Sequence, residues 1–212
     1  MKILVTAGPT REAIDPVRYI SNRSSGKMGF ALAGAASAMG HEVILVAGPC
    51  ELRTPEGVRR LDVVTAGAMY EAVLGEIGEV DAAIFSAAVA DYRPVAISEE
   101  KIKKAGERMI LEMERTRDIL GSARGEMGFE GVLVGFAAET EDMEANARRK
   151  MEQKGCDFLV ANDVSREDIG FDVEENEVTV YFVDGREERP GKMGKAGLAR
   201  ILIGYVEKAV SE

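Results

Sequence analysis

The sequence holds a single histidine, His41, and two cysteines, Cys50 and Cys156, far apart in the chain. One histidine, placed where the chain enters a strand, leaves little room for Ser-His or Cys-His chemistry and reads as structural. So few nitrogen and sulfur ligands also argue against a zinc centre. Without a Cys-x-x-Cys spacing, the thiols read as unpaired residues of a protein in a reducing cytoplasm. No apolar run approaches the ~20 residues of a membrane span. The N-terminus enters a strand at once, without the pattern of a secretory signal. Basic residues are the minority, 27 Lys+Arg against 37 Asp+Glu, for a formal charge of -10. That balance argues against nucleic acid or an anionic membrane as the main partner.

What is present suits one folded domain, residues 1–212, with 46% hydrophobic and 30% charged residues. The pattern predicts strands over Lys2–Thr6, Glu42–Ala47, Arg60–Val64, Asp81–Ser86, Gly131–Phe136 and Asp157–Ala161. Helices are predicted over Lys27–Met39, Ala66–Ile77 with Thr65 as N-cap, Asp118–Arg124 and Glu141–Lys154. Arg108–Met113 alternates weakly, as a short strand would. Asn176–Val183 alternates clearly, Asp184-Gly185 marks a hairpin turn before Arg186–Arg189, and a last helix ends near Val210. Apolar strands alternating with helices give an α/β, Rossmann-like fold: a doubly wound, mostly parallel sheet with an appended C-terminal β-hairpin. In such folds ligands bind beyond the carboxyl ends of the strands. Five polar segments fall there: Gly8–Lys27, Gly48-Pro49, Ala87–Lys104, Ala137–Thr140 and Asn162-Asp163.

The first of these is too long for a plain connector. Gly8-Pro9-Thr10-Arg11 lacks the second and third glycines of a dinucleotide turn. Gly26-Lys27 is not a P-loop, since Ser21 and Met28 stand where Gly and Ser or Thr are required. Ser24, Ser25 and Gly26 at a helix start suit an anion, although alone they also read as an ordinary Ser N-cap. Asn22 can orient a neutral or oxyanionic group and Arg18 can bind a phosphate or carboxylate; each by itself is an ordinary loop residue. Asp91 follows a buried strand, where carboxylates commonly hold a metal or a ribose. Lys101, Lys103 and Lys104 form a basic cluster that, in so acidic a chain, points to polyphosphate more than to a solvated face. Gly26-x-x-Gly29 motivates a competing reading, an NAD(P)-binding short-chain-type oxidoreductase, although no Tyr-x-x-x-Lys pair is present. A non-catalytic nucleotide-binding module is a third.

Taken together, TAGPTREAIDPVRYISNRSSGKMG, AAVADYRP, EKIKK, GFAAET, and ANDVS followed by Gly170-Phe171 and an asparagine resemble the phosphopantothenoylcysteine synthetase family, over essentially the whole chain. The resemblance implies a CTP-dependent ligase of coenzyme A synthesis. In it 4′-phosphopantothenate attacks the α-phosphorus of CTP with Mg2+ present, and the amine of cysteine then displaces CMP from the acyl-cytidylate. It implies catalytic roles for Asn22, Lys101 and Arg18, and nucleotide contacts at Ala87, Asp91, Lys101, Asp118, Ile119, Phe136, Lys150 and Lys154. Gly8, Thr10, Ser24, Ser25 and Gly26 would form a phosphate or substrate loop, with Asp91 as the metal residue. A homodimer involving the C-terminal hairpin is expected, as is a flavin-dependent decarboxylase partner domain, with no flavin site in this chain. One departure stands out: the family's Asn-Pro-Asp-Ile reads Thr116-Arg117-Asp118-Ile119 here.

Overall fold

A computed structural model describes residues 1–104, 106–139, 142–163 and 175–212. The chain opens with β1 (Lys2–Ala7), β2 (Arg11–Asp15), β3 (Arg18–Ser21), α1 (Lys27–Ala38), β4 (Glu42–Ala47) and β5 (Val58–Asp62). It continues through α2 (Ala66–Ile77), β6 (Ala82–Phe85), β7 (Tyr92–Pro94), β8 (Met113–Arg115), α3 (Ile119–Gly125), β9 (Val132–Glu139) and α4 (Met143–Lys154). The last elements are β10 (Phe158–Asp163), β11 (Glu175–Asn176), β12 (Val178–Phe182), β13 (Glu187–Glu188), β14 (Met193–Gly194) and α5 (Lys195–Ser211).

The main sheet has the order β13-β12-β10-β9-β6-β1-β4-β5. Its pairings from β10 to β5 are parallel, and β12 and β13 close one edge antiparallel. The central strands are apolar throughout because helices cover both faces. Side chains alternate between the layers: Ile3 and Val5 belong to the core cluster on the side of α1 and α5, whereas Leu4 belongs to the one on the side of α2, α3 and α4. α1 lies close to the sheet because its contact residues are small, Ala33 and Ala36 being fully buried. The chain runs from β1 outward to β4 and β5, then returns past β1 to β6, β9 and β10. The strand order therefore reverses between β1 and β6, and a crevice opens beyond their carboxyl ends. The segments leaving those two strands are the ones singled out above. No helix of the described residues is long and apolar enough to cross a membrane.

Several predicted elements shift. The segment after β1 is not an open loop: β2 and β3 pair as a hairpin turned by Asp15, whose Oδ1 accepts the Val17 N–H at 2.9 Å. Its sequence hides the strand because buried positions carry charge, Glu12 and Asp15 being 4% and 2% exposed. The strand expected over Arg108–Met113 forms instead at Met113–Arg115, paired with Tyr92–Pro94. The strand expected over Arg60–Val64 starts at Val58. β9 runs past Phe136 to Glu139, lengthened by its pairing with β10. The alternating run at the C-terminus splits: Asn176 pairs with Met193, and Val178–Phe182 joins the main sheet. The Asp184-Gly185 turn and the Thr65 cap form as predicted, with the Ala68 N–H 3.1 Å from Thr65 Oγ1. Thr140, Glu141, Val164, Ser165, Gly170 and Phe171, which figure in the expectations above, lie outside the described residues.

Candidate active site

The crevice is built by stitching two loops together. The segment after β1 and the segment after β6 exchange backbone bonds: Ala88 N–H to Gly8 O at 2.9 Å and Thr10 N–H to Ala88 O at 3.3 Å. Thr10 is fully buried and its hydroxyl accepts the Ala90 N–H at 3.0 Å. Below them, the Ser86 hydroxyl donates to Thr6 O at 2.7 Å. Asn22 closes the seam, its amide donating to the carbonyls of Ala88 and Val89 at 3.0 and 2.9 Å. Each such bond contributes about 1 kcal/mol net, so the seam is firm because there are many. Glu12 anchors the hairpin elsewhere, accepting the Ala66 N–H at 2.7 Å, where a carboxylate also favours the start of α2.

Two glycines have geometric reasons. Gly26 sits in the left-handed region at φ 77° where the chain turns into α1. A Cβ on Gly29 would stand 2.4 Å from Ala7 Cβ and 2.6 Å from Ser86 Oγ, because the first turn of α1 lies directly on β1 and β6. Among the described residues no side-chain hydrogen bond caps α1, whose N-cap is Gly26 rather than a serine. The start of this helix lines the crevice, an arrangement suited to anions.

Two adjoining cavities fill the crevice. The first, about 520 Å³, is lined by Ala87, Asp91, Arg115, Arg117, Asp118, Ile119, Phe136, Lys150 and Lys154 among others. The second, about 470 Å³, is lined by Asn22 to Gly29, Ala137, Ala138, Asn162, Asn176 and Lys195 among others. They share a wall made by Ala87, Val89, Asp91, Phe136 and Lys150. Among the described residues the walls carry seven cations, Arg23, Lys27, Arg115, Arg117, Lys150, Lys154 and Lys195, against the two carboxylates of Asp91 and Asp118. In a chain of formal charge -10, that inversion marks the crevice as a site for a polyanion.

Most of the expected residues gather here, with differences in what each does. Lys150 Nζ donates to Phe136 O at 3.0 Å, which fixes the lysine over the end of β9. Asp118 caps α3 through the Gly121 N–H at 2.8 Å and pairs with Lys154. Burial pushes its carboxyl up, but the Lys154 ammonium, the Gly121 N–H and the charge of Lys150 outweigh that and hold it below its ordinary value. Asp118 thus holds Lys154 as much as it faces the cavity. Arg117 fills the family's proline position by lying over the Tyr70 ring, 4.7 Å from its centroid, and adds a cation to the wall. Gly8 and Thr10 belong to the seam rather than to either cavity lining. His41 ties the end of α1 to α5, with Nε2 3.0 Å from Glu207 Oε1. Both cysteines are free thiols, and burial pushes the Cys156 thiol up to about 12.

Arg18 and Lys101 stand together but line neither cavity. Arg18 donates to Ile102 O at 3.3 Å and pairs with Asp15 at 3.1 Å, while Asp15 Oδ2 accepts the Ile102 N–H at 3.1 Å. The lysine loop is thereby fastened to the β2–β3 hairpin. Burial pushes the Asp15 carboxyl up, yet the N–H groups of Val17 and Ile102 and the Arg18 charge hold it below its ordinary value. A depressed carboxylate stabilises fully above its unfolded pKa of about 3.9 and loses that contribution as pH falls through the folded value. The fastening should therefore persist from neutral pH to about pH 4 and fail only on further acidification. Asp15→Asn should release it at neutral pH, seen as faster tryptic cleavage at Lys101, Lys103 or Lys104; unchanged cleavage would assign the fastening to Arg18 alone.

Among the described residues no three His, Cys, Asp or Glu side chains gather as a metal nest. Asp91, on the shared wall, fits the habit of magnesium to take one carboxylate and complete its shell from substrate phosphates and water. Sequence patterns missed Arg117, Asn176 and Lys195 as cavity residues. Signals existed for Asn162, at a predicted strand end, and for Asn176, the asparagine that follows Gly170-Phe171 in the family pattern.

Comparison with known proteins agrees with this geometry. The sequence model of the DNA/pantothenate metabolism flavoprotein C-terminal domain family matches residues 1–210. The coenzyme A biosynthesis bifunctional protein CoaBC of Vibrio vulnificus is 50% identical over 207 residues, 97% of this chain and 51% of that protein. The Escherichia coli protein of the same name is 43% identical, over 98% of this chain and 53% of its own length. The chain thus spans about half the length of the curated relatives it matches. Among solved structures, the C-terminal domain of CoaBC superposes with a TM-score of 0.84 at 41% identity, covering 99% of this chain and 95% of that one. The DNA/pantothenate metabolism flavoprotein from Streptococcus pneumoniae shares the fold, with a TM-score of 0.81 at 24% identity over 98% of this chain and 99% of that one. The chain belongs to the DNA/pantothenate metabolism flavoprotein C-terminal domain family.

Proposed function

We propose that this chain is a ligase that joins 4′-phosphopantothenate to L-cysteine at the expense of CTP, in coenzyme A biosynthesis. The observation that carries the reading is the pair of cation-rich cavities sharing one wall, which suits a nucleotide and a phosphorylated acid meeting at that wall. Relatives at 50% and 43% identity that are named for coenzyme A biosynthesis support it.

The nucleotide occupies the cavity of Asp118, Ile119, Lys150 and Lys154, with its α-phosphorus near Ala87 and Asp91. The acid lies beside Asn22 and the start of α1, where Ser24, Ser25 and Gly26 face its phosphate. The carboxylate attacks the α-phosphorus, pyrophosphate leaves, and the cysteine amine then attacks the acyl carbon and releases CMP. Positioning and charge stabilisation suffice, so no covalent nucleophile is needed. Magnesium, carried by the triphosphate and met by Asp91, supplies charge neutralisation. Lys101 reaches the triphosphate from the loop that the hairpin fastens at Ile102, and Arg18 steadies that loop. A flavin-dependent decarboxylase acts as a separate partner domain, and this cytoplasmic synthetase unit of residues 1–212 holds no flavin.

A homodimer is also part of the reading. Val17, Tyr19, Tyr92, Val95, Ile97, Met109 and Ile110 are exposed on the two small ribbons and their connecting loop, Ile110 at 95%. Of the C-terminal hairpin's large apolar residues, only Val183 is comparably bare. Apolar side chains exposed together favour a symmetric partner, so the second copy sits on the ribbons rather than on the hairpin. Light scattering should give a dimer that Ile110→Asp weakens, and a monomer at every concentration would end the idea.

The deciding assay mixes the chain with 4′-phosphopantothenate, cysteine, Mg2+ and either CTP or ATP, and follows pyrophosphate and amide. CTP should support both products. Folded protein that forms neither with either nucleotide overturns the ligase; nucleotide binding without turnover leaves a binding module, and saturable NADPH binding without CTP binding restores the oxidoreductase.

A further inference from the structure

A further cavity, about 390 Å³, adjoins the second crevice cavity. Asn22, Arg23 and Ser24 line both, so this short segment divides the two spaces. The segment is firmly held: the Ser21 hydroxyl donates to Thr10 O at 2.7 Å, and the Asn22 amide to Ala88 and Val89. Arg11 and Tyr19 of the β2–β3 hairpin and Pro49 after β4 complete the far side. The family resemblance assigns no role to Arg11, Tyr19, Arg23 or Pro49.

This cavity carries charge of one sign. Two guanidinium groups, Arg11 and Arg23, line it without a carboxylate, in a chain whose 37 Asp+Glu exceed its 27 Lys+Arg. Among the described residues neither guanidinium makes a hydrogen bond or an ion pair. Arg11 lies over the Tyr19 ring, 4.7 Å from its centroid, a contact that uses the flat face and leaves the N–H edge for a ligand. Ser24 Oγ accepts the Gly26 N–H at 3.4 Å, which leaves its O–H to donate. Two like charges sharing one cavity favour an anion between them.

The chemistry narrows that anion. A carboxylate brings two oxygens and one charge, whereas a phosphomonoester brings three strong acceptors and nearly two charges, a better match for two arginine forks. The cavity is far larger than a phosphate group, and Pro9, Pro49 and the Tyr19 ring give an organic remainder an apolar wall. We propose that this cavity is a second anion site, which takes a small phosphomonoester other than the substrate. Arg23 couples it to the crevice, where the same residue is one of the cations that attract the acid. An anion held on the far side neutralises that charge and loosens the hold on the acid. The site stands apart from the ligase reading; its effect on the acid rests on that reading.

The experiment uses the whole chain at one protein concentration, because Tyr19 also lies on the face proposed for the second copy. Calorimetry compares glycerol 3-phosphate, inorganic phosphate and glycerol. Glycerol 3-phosphate should bind most tightly, inorganic phosphate more weakly and glycerol not at all; phosphate binding as tightly as the ester would remove the organic remainder from the proposal. Arg11→Gln should weaken the binding about 10- to 100-fold, the weight of one hydrogen bond to a charged group. Arg11→Lys, which keeps the charge without the fork, should fall between, and it carries the decision if Arg11→Gln does not fold. In the ligase assay glycerol 3-phosphate should raise the KM for 4′-phosphopantothenate to a plateau about fivefold higher, the weight of one screened charge, with the CTP KM unmoved. A rise without a plateau, or one that persists in Arg11→Gln, puts the anion in the crevice and overturns the site. Wild-type affinity in both Arg11 variants overturns it too. Binding that Arg11→Gln abolishes, with the KM unmoved, keeps the site and overturns its effect on the acid. A chain that forms no amide ends the ligase reading, and calorimetry still decides the site.

Discussion

Asn22→Asp should leave pyrophosphate release intact while amide formation falls about 10²–10³-fold, the usual effect of losing one oriented hydrogen-bonding group at a reacting carbonyl. Acyl-cytidylate should then accumulate and be trapped by rapid quench. Asn22 is both a wall of the acyl cavity and the stitch to Ala88 and Val89, with both carbonyls about 3 Å away. An aspartate cannot donate to those carbonyls, so the variant tests two roles at once. If both half-reactions fall equally, the residue works as the stitch and the catalytic assignment is wrong. Lys101→Gln should give the mirror image, loss of pyrophosphate release itself. Because Lys101 is exposed and lines neither cavity, unimpaired release would place it outside the reaction altogether.

Gly29→Ala should damage both stability and activity. The added Cβ meets Ala7 Cβ at 2.4 Å, Ser86 Oγ at 2.6 Å and Ala7 Cα at 3.0 Å. Ala7 is fully buried at the end of β1 and Ser86 follows directly on β6 with its hydroxyl bonded to Thr6 O, so α1 itself must lift. Overpacking of this kind costs about 2–3 kcal/mol, or roughly 5–10 °C in Tm for a domain of this size. The first turn of α1 would also leave the crevice, so activity should fall further than stability. Gly75→Ala is the matched control. It lies in α2 with nothing within 4 Å of the new Cβ, and it should stabilise by about 0.5–1 kcal/mol. Equal Tm values for the two variants would show that α1 yields easily and that the close approach is not needed.

Much of this protein is legible in its residues. Apolar strand runs alternating with amphipathic helices dictate a doubly wound sheet, because each pattern can be buried in only one way. The capping Thr65 and the Asp184-Gly185 turn act locally, so their sequence signals survive folding. The loops beyond the strand ends were recognisable because polar residues of that kind have no place in a core. Three things were not legible. The β2–β3 hairpin is invisible to a hydrophobic pattern, since it buries Glu12 and Asp15 and meets their needs with backbone N–H groups from residues 66, 17 and 102. The separation of Asn22 from Lys101 and Arg18 depends on that hairpin and on the loop fastened to it. The meeting of Asn162, Asn176 and Lys195 depends on two ladders whose register no local signal encodes. The sequence by itself determined the sheet, its helices and the edge where ligands bind, because those follow from periodicity and burial. Only the tertiary structure decided which polar side chains share a cavity, because hydrogen bonds between distant segments form after the core has set their distances.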